Sequence, residues 1–323
     1  MSDESKDGKD QKEPLTLEDI TYAPLTRRSF LKAGLVATAL STGGAVTLSP
    51  IKDLDQPLSI DEFLQKHYEE LTPQHMERII SRIKREIKRD YKIDADLSDT
   101  KPTPGVEFAY ALNIGRCIGC RRCVYACMDE NNQSRDPEIQ YIRVLEMEKG
   151  SMNFETSNHY YDPETVPNKG KFYVPVQCHQ CKDAPCVKAC PIKATWQEPD
   201  GIVVVDYNWC IGCRYCLAAC PYWARRFNFA KPKIPKKDIN PKMGYLGNRI
   251  RPRGVAEKCT FCIQRTRNGM LPACAEVCPT GSRIFGNILE PGNPISYILE
   301  NKRVYVMKEE LQTFPRFYYF FEK

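Results

Sequence analysis

The chain has 323 residues, room for two small domains or one with extensions, with a formal charge of +6 and 42% hydrophobic residues. Its sixteen cysteines leave three chemistries open: disulfides, zinc and iron–sulfur clusters. Disulfide frameworks belong to short scaffolds that lack a core, and zinc sites use pairs of Cys-x2-Cys knuckles, so the grouping of the cysteines decides.

Residues 1–25 are polar and charged without apolar periodicity and are expected to be disordered. Thr26-Arg27-Arg28-Ser29-Phe30-Leu31-Lys32 then opens an uncharged, Ala/Gly/Thr-rich stretch that ends at Pro50. Paired arginines before such a stretch resemble a twin-arginine export signal; the plainer reading is a basic turn before a buried helix. Ala37-Thr38-Ala39 and Gly43-Gly44-Ala45 both fit a small-x-small cleavage site. The stretch is short and weakly apolar for a membrane span, and no later segment comes close, so the mature chain is not expected to cross a membrane by itself. The signal predicts the periplasmic or extracytoplasmic face of the cytoplasmic membrane, reached by a route that carries folded, already loaded proteins.

Residues 51–104 form a helical extension and linker. Ser59 and Glu62 make a capping box, and Thr72 with Pro73 starts a second helix. Met76, Ile79, Ile80, Ile83 and Ile87 form an apolar stripe, with Arg78, Arg82, Lys84, Arg85, Lys88 and Arg89 around it. Two readings stand: a solvated basic face on a helix packed against the core or a partner, or a face for anionic headgroups. Residues 99–104 read as a linker.

The region 105–290 carries all the cysteines. A strand at Val106–Asn113 leads into Cys117, Cys120, Cys123 and Cys127, spaced C-x2-C-x2-C-x3-C, with Met128 after the last. Ile139, Tyr141, Arg143 and Leu145 alternate as a strand, followed by a surface excursion. A strand at Lys171–Val176 leads into Cys178, Cys181, Cys186 and Cys190, where the second gap widens and Pro191 follows. A strand at 201–206 leads into Cys210, Cys213, Cys216 and Cys220, then Pro221. Cys259, Cys262, Cys274 and Cys278 open the second gap further and end in Pro279. Short strands are predicted at 282–285 and 303–307. Four runs of four use every cysteine.

The third run is the ferredoxin spacing for a [4Fe–4S] cluster, in which the fourth cysteine ligates the other cluster of a pair. Gly212 lets the loop approach the cluster closely. Four such clusters are the expected cofactors. Sixteen thiolates around four cores of about +2 bring the net charge to about −2, so the basic surplus compensates cluster charge and marks no nucleic-acid partner. Few residues separate Cys190 from Cys210, so runs two and three form an inner dicluster module, about 171–225, inserted in an outer module made by runs one and four. Crosswise ligation predicts set A, Cys117, Cys120, Cys123 and Cys278; set B, Cys259, Cys262, Cys274 and Cys127; set C, Cys178, Cys181, Cys186 and Cys220; and set D, Cys210, Cys213, Cys216 and Cys190. The fold class is α+β, two nested ferredoxin-like dicluster modules with an N-terminal helical extension.

These runs, over about 105–290, resemble the four-cluster ferredoxin subunits of the dimethyl sulfoxide reductase and polysulfide reductase family, and the export signal resembles its exported members, such as the subunits of periplasmic hydrogenase and sulfite-reduction complexes. The resemblance implies a non-catalytic subunit of an anaerobic respiratory oxidoreductase complex. It relays single electrons between a catalytic or multihaem subunit and a polytopic, quinone-reactive membrane subunit, and has no small-molecule substrate of its own. Some relatives replace a third-run cysteine with Trp and hold a three-iron cluster; Cys213 is present, so that form is not expected. A free-standing diffusible polyferredoxin is the alternative, and the long extensions argue against it.

No Gly-rich dinucleotide loop, nucleophile elbow or His-Glu metal motif appears. His179 is crowded between Cys178 and Cys181 and reads as a hydrogen-bond donor near a sulfur. His67, His75 and His159 are scattered, which argues against haem. Arg121, Arg122, Arg214, Arg225 and Arg226 either raise cluster potentials or pair with surface acids. The tail, 291–323, contains Phe314-Pro-Arg-Phe-Tyr-Tyr-Phe-Phe321, expected as a docking tail unless it packs on its own core.

Overall fold

The computed structural model describes residues 67–322; the export signal and the Ser59–Glu62 capping box lie outside them. Helix α1, Pro73–Tyr91, starts where Thr72 Oγ1 accepts the His75 N–H at 3.3 Å, with Pro73 in the first turn. It ends at Lys92, which takes the left-handed conformation (φ 59°). Ile83 and Ile87 are buried, with Met76, Ile79 and Ile80 packed against the same core. The stripe therefore faces the chain's own interior, the plainer of its two readings. Strand β1, Asp96–Ser98, directly precedes the predicted linker. It runs parallel to β8, Lys242–Gly244, with Leu97 opposite Met243.

The central sheet explains the nesting. Strand β2, Phe108–Asn113, is buried along its whole length. It pairs antiparallel with β10, Arg283–Asn287, which follows the last cysteine run. The first and fourth runs are thereby brought together, and helix α2, Arg122–Glu130, packs on α6, Ala273–Glu276. In the inner module β5, Thr195–Gln197, and β6, Val203–Val205, form a hairpin. Helices α3, Pro185–Lys188, and α4, Tyr215–Ala218, pack on each other. Strand β7, Arg225–Phe227, pairs with β9, Ala256–Lys258, and so ties the end of the third run to the start of the fourth. The short helix α5, Ile263–Thr266, lies within the fourth run.

Three expectations change. The strand read from Ile139 begins at Arg143: β3, Arg143–Glu148, pairs with β4, Lys171–Val176. Before it, backbone groups are taken by side chains, the Tyr141 N–H by Gln133 Oε1 and the Gln140 carbonyl by Arg226 Nε. The strand expected at 303–307 reduces to one bridge between Tyr305 and Tyr319.

The third change concerns the tail. After helix α7, Pro294–Asn301, its aromatic segment forms β11, Phe317–Phe320, parallel to β2 as the third strand of the central sheet. Phe317 and Tyr319 are fully buried. Alternation explains why a run of aromatics does not make a docking patch: successive side chains of a strand face opposite ways, and here both faces are covered. Of the segment, Phe314 and Phe321 are exposed.

Candidate metal centres

Each run builds the same small device. The residue before the second cysteine is left-handed in all four loops: Gly119 (φ 78°), Gln180 (46°), Gly212 (78°) and Phe261 (53°). Only two are glycines. Gln180 is held in that costly conformation by its own side chain, with Nε2 donating to the Cys259 carbonyl and Oε1 accepting the Val203 N–H, each at 2.8 Å. The third cysteine of each run then lies on a helix: Cys123 on α2, Cys186 on α3, Cys216 on α4 and Cys274 on α6. The fourth follows one turn on. Where proline comes next, the helix is four residues long; after Cys127, where Met128 stands, α2 runs for nine. Proline has no N–H to continue the ladder.

Cys117, Cys120, Cys123 and Cys278 line one cavity. Cys178, Cys181, Cys186 and Cys220 line a second, and Cys190, Cys210, Cys213 and Cys216 a third. Cys127, Cys259, Cys262 and Cys274 are all buried, and Asn131 Nδ2 lies 3.6 Å from the Cys127 sulfur and 3.5 Å from that of Cys262. Among the described residues no three metal-binding side chains close in far enough to grip one ion.

The surroundings fit thiolates around a cationic core. Donors point at sulfur: Gln133 Nε2 to Cys127 (3.2 Å), Arg225 Nη2 to Cys186 (3.1 Å) and the Phe261 N–H to Cys259 (3.4 Å), with the Tyr110 hydroxyl 3.4 Å from Cys274. Burial, then the neighbouring sulfurs, push the Cys127 and Cys259 thiols well above their usual range. Burial takes Cys117, Cys181 and Cys262 to about 12. Four thiols in such a place do not ionise alone, and bound iron inverts that balance. For Cys278 burial acts upward, but hydrogen bonds from Thr280 and Ser282 bring it below its usual value.

His179 departs from expectation. Its Nε2 pairs with the Tyr319 hydroxyl at 3.2 Å, not with a sulfur, and its ring stacks on Phe317 at 5.3 Å. Burial pushes its pKa down to about 3, so it stays neutral. Of the five arginines, Arg225 reaches a sulfur, while Arg121 lies over Tyr161, and Arg214 over Phe227 and Phe229. None of the five pairs with a carboxylate among the described residues. Sequence reasoning missed Asn131, Gln133, Tyr110, Lys258 and Arg283. The amides had one signal, a polar cluster placed where the other runs have Cys-Pro.

A family model described as a 4Fe-4S dicluster domain matches residues 170–241 and 248–288. One of the chains of the anaerobic dimethyl sulfoxide reductase of Escherichia coli is 32% identical over 57% of this sequence and 75% of its own length. A selenate reductase subunit from Mesobacillus selenatarsenatis is 34% identical over 91% of this sequence and 96% of its own. The protein belongs to the iron–sulfur subunits of the dimethyl sulfoxide reductase family. A further member, the "Hdr-like menaquinol oxidoreductase iron-sulfur subunit 1" of Archaeoglobus fulgidus, is 36% identical over 66% of this sequence and 82% of its own. As an iron–sulfur subunit of this family, the protein transfers electrons within a reductase complex rather than catalysing the reaction, and four [4Fe–4S] clusters are its cofactors.

Proposed function

We propose that sets A, B, C and D each ligate one cluster. Through them the chain relays single electrons between a catalytic or multihaem subunit and a polytopic membrane subunit that handles quinone. The observation that carries this reading is the grading of exposure. All four cysteines of set B are buried, whereas those of set A are all partly exposed and Cys213 of set D is exposed. Two outer sets that reach the surface, with set B buried and set C buried except for the partly exposed Cys220 between them, suit a conductor with a partner at each end. A menaquinol oxidoreductase among the relatives supports the quinone side. Among the described residues no helix is long and apolar enough to cross a membrane; in this reading the membrane subunit provides the attachment. Anaerobically purified protein is expected to hold about sixteen iron atoms, to fractionate with membranes, and to be released by detergent or by loss of the membrane subunit. Iron near eight would sink the ligand sets, and a soluble, unattached monomer in gently broken cells would replace the relay with a diffusible carrier.

The same reading places the complex on the extracytoplasmic side, supported by Arg27-Arg28 and the stretch that follows. Replacing both arginines with lysine keeps the charge but removes the guanidinium pair. Loaded protein is then expected to accumulate in the cytoplasm; normal delivery would reject the signal, provided no partner subunit carries the chain across.

A further inference from the structure

Three cations are buried in the described chain without a carboxylate partner, and each borders two of the proposed ligand sets, directly or through one intervening group. Arg225, on β7, lines the cavity of set C and also that of set D. Its Nη2 donates to the Cys186 sulfur and, at 2.8 Å, to Thr195 Oγ1, while Nε and Nη1 have no partner in the protein. Arg283, on β10, lines the cavity of set A. Its Nη1 donates to Gln177 at 2.7 Å and to the Tyr110 hydroxyl at 3.3 Å, and that hydroxyl meets Cys274 of set B. Its Nη2 is unpartnered. Lys258, on β9, lines the cavity of set C, and its Nζ donates to the carbonyl of Cys259, a member of set B, at 2.7 Å.

A buried charge without a counter-charge is expensive, and buried donors are normally satisfied. Three such cations, one at each junction of a row A–B–C–D, require negative charge on both sides. A [4Fe–4S] core with four thiolates supplies it, and gains one more negative charge with each electron. We propose that Arg283, Lys258 and Arg225 are junction cations: each neutralises charge shared by two neighbouring clusters and holds both their reduction potentials up. The proposal rests on the ligand sets above. A cation shared by two clusters favours an electron on either one, so it keeps neighbouring levels close and stops the electron from stalling on one side. Arg225 and Arg283 stand at matching places, each five residues after the last cysteine of a Cys-Pro run, as expected for the same device in two related modules.

The test is a redox titration of the loaded protein followed by electron spin resonance, with iron content measured beside it. Arg225→Gln is expected to lower two of the four potentials, and Arg283→Gln the other two. Arg225→Lys and Arg283→Lys keep the charge and should stay near the unsubstituted values. Loss of iron in the glutamine variants alone, with the lysine variants fully loaded, supports the same need for charge at the junction. Full iron with unchanged potentials, or an equal fall in all four, overturns the inference. So does loss of iron in the lysine variants as well, which would make the guanidiniums structural. Fewer than four clusters in the unsubstituted protein would instead reject the ligand sets, and this inference with them.

Discussion

Phe317→Ala is expected to destabilise the protein by about 3–5 kcal/mol, the usual cost of emptying a buried phenylalanine site. The ring is fully buried, stacks on Tyr110 at 4.9 Å and 8°, and lies 5.3 Å from His179 and 5.0 Å from Tyr319. Phe314→Ala removes an equally large ring that is 59% exposed, and should stay within about 0.5 kcal/mol. Denaturant midpoints of the two variants measure the contrast. Were the aromatic tail a docking surface, Phe314 would matter for attachment and Phe317 would matter little for stability. Removing the whole segment from Phe314 onward should cost the second cysteine loop as well. The Lys182 N–H bonds the Phe314 carbonyl at 2.8 Å, and the Arg316 N–H bonds that of His179 at 2.9 Å. Loss of iron is the expected readout, not a loaded protein that has merely let go of its membrane.

Gly212→Ala should be nearly as damaging, and more local. A Cβ there would stand 2.2 Å from the Gly254 carbonyl oxygen, on a backbone with φ 78°. Left-handed strain of about 1–2 kcal/mol adds to overpacking of about 1–3 kcal/mol, and the backbone it strikes has no rotamer to turn away. We expect iron to fall from about sixteen to about twelve atoms per chain, with the set D signal lost and the others kept. Undiminished iron would show that the loop can move aside.

The cysteine runs could be read from the sequence because their spacing is local: every run opens Cys-x2-Cys and closes with a cysteine four residues after the third, and only the gap between the second and third varies. The strands before the first three runs were legible for the same reason, as apolar stretches bounded by polar loops, whereas β9 before the fourth run was not read. Lys171–Val176 matches its expected span, and 201–206 narrows to Val203–Val205. What stayed hidden depends on distant partners. Arg283 is a lone basic residue beginning a strand, and nothing in its neighbours announces that Tyr110 and Gln177 will close over it. The tail looked exposed because aromatics at a chain end have no local reason to be buried; the reason is β2, some two hundred residues earlier. His179, expected to donate near a sulfur, does line the cavity of set C, but its bond goes to Tyr319 of that same tail.

The pairing of β2 with β10 and β11 also sets a timetable for manufacture. Cys178 to Cys220 lie close together in sequence, so the proposed sets C and D are complete early in synthesis. The proposed sets A and B wait for Cys274 and Cys278, and the central sheet for Phe317–Phe320. Contacts of such long range form slowly. During that delay Cys117, Cys120, Cys123 and Cys127 are out with their partners still on the ribosome, open to oxidation or to the wrong metal. With the ligand sets as proposed, the row is finished from the set D end towards set A, and sets A and B can take up iron only once Cys274 and Cys278 have been made.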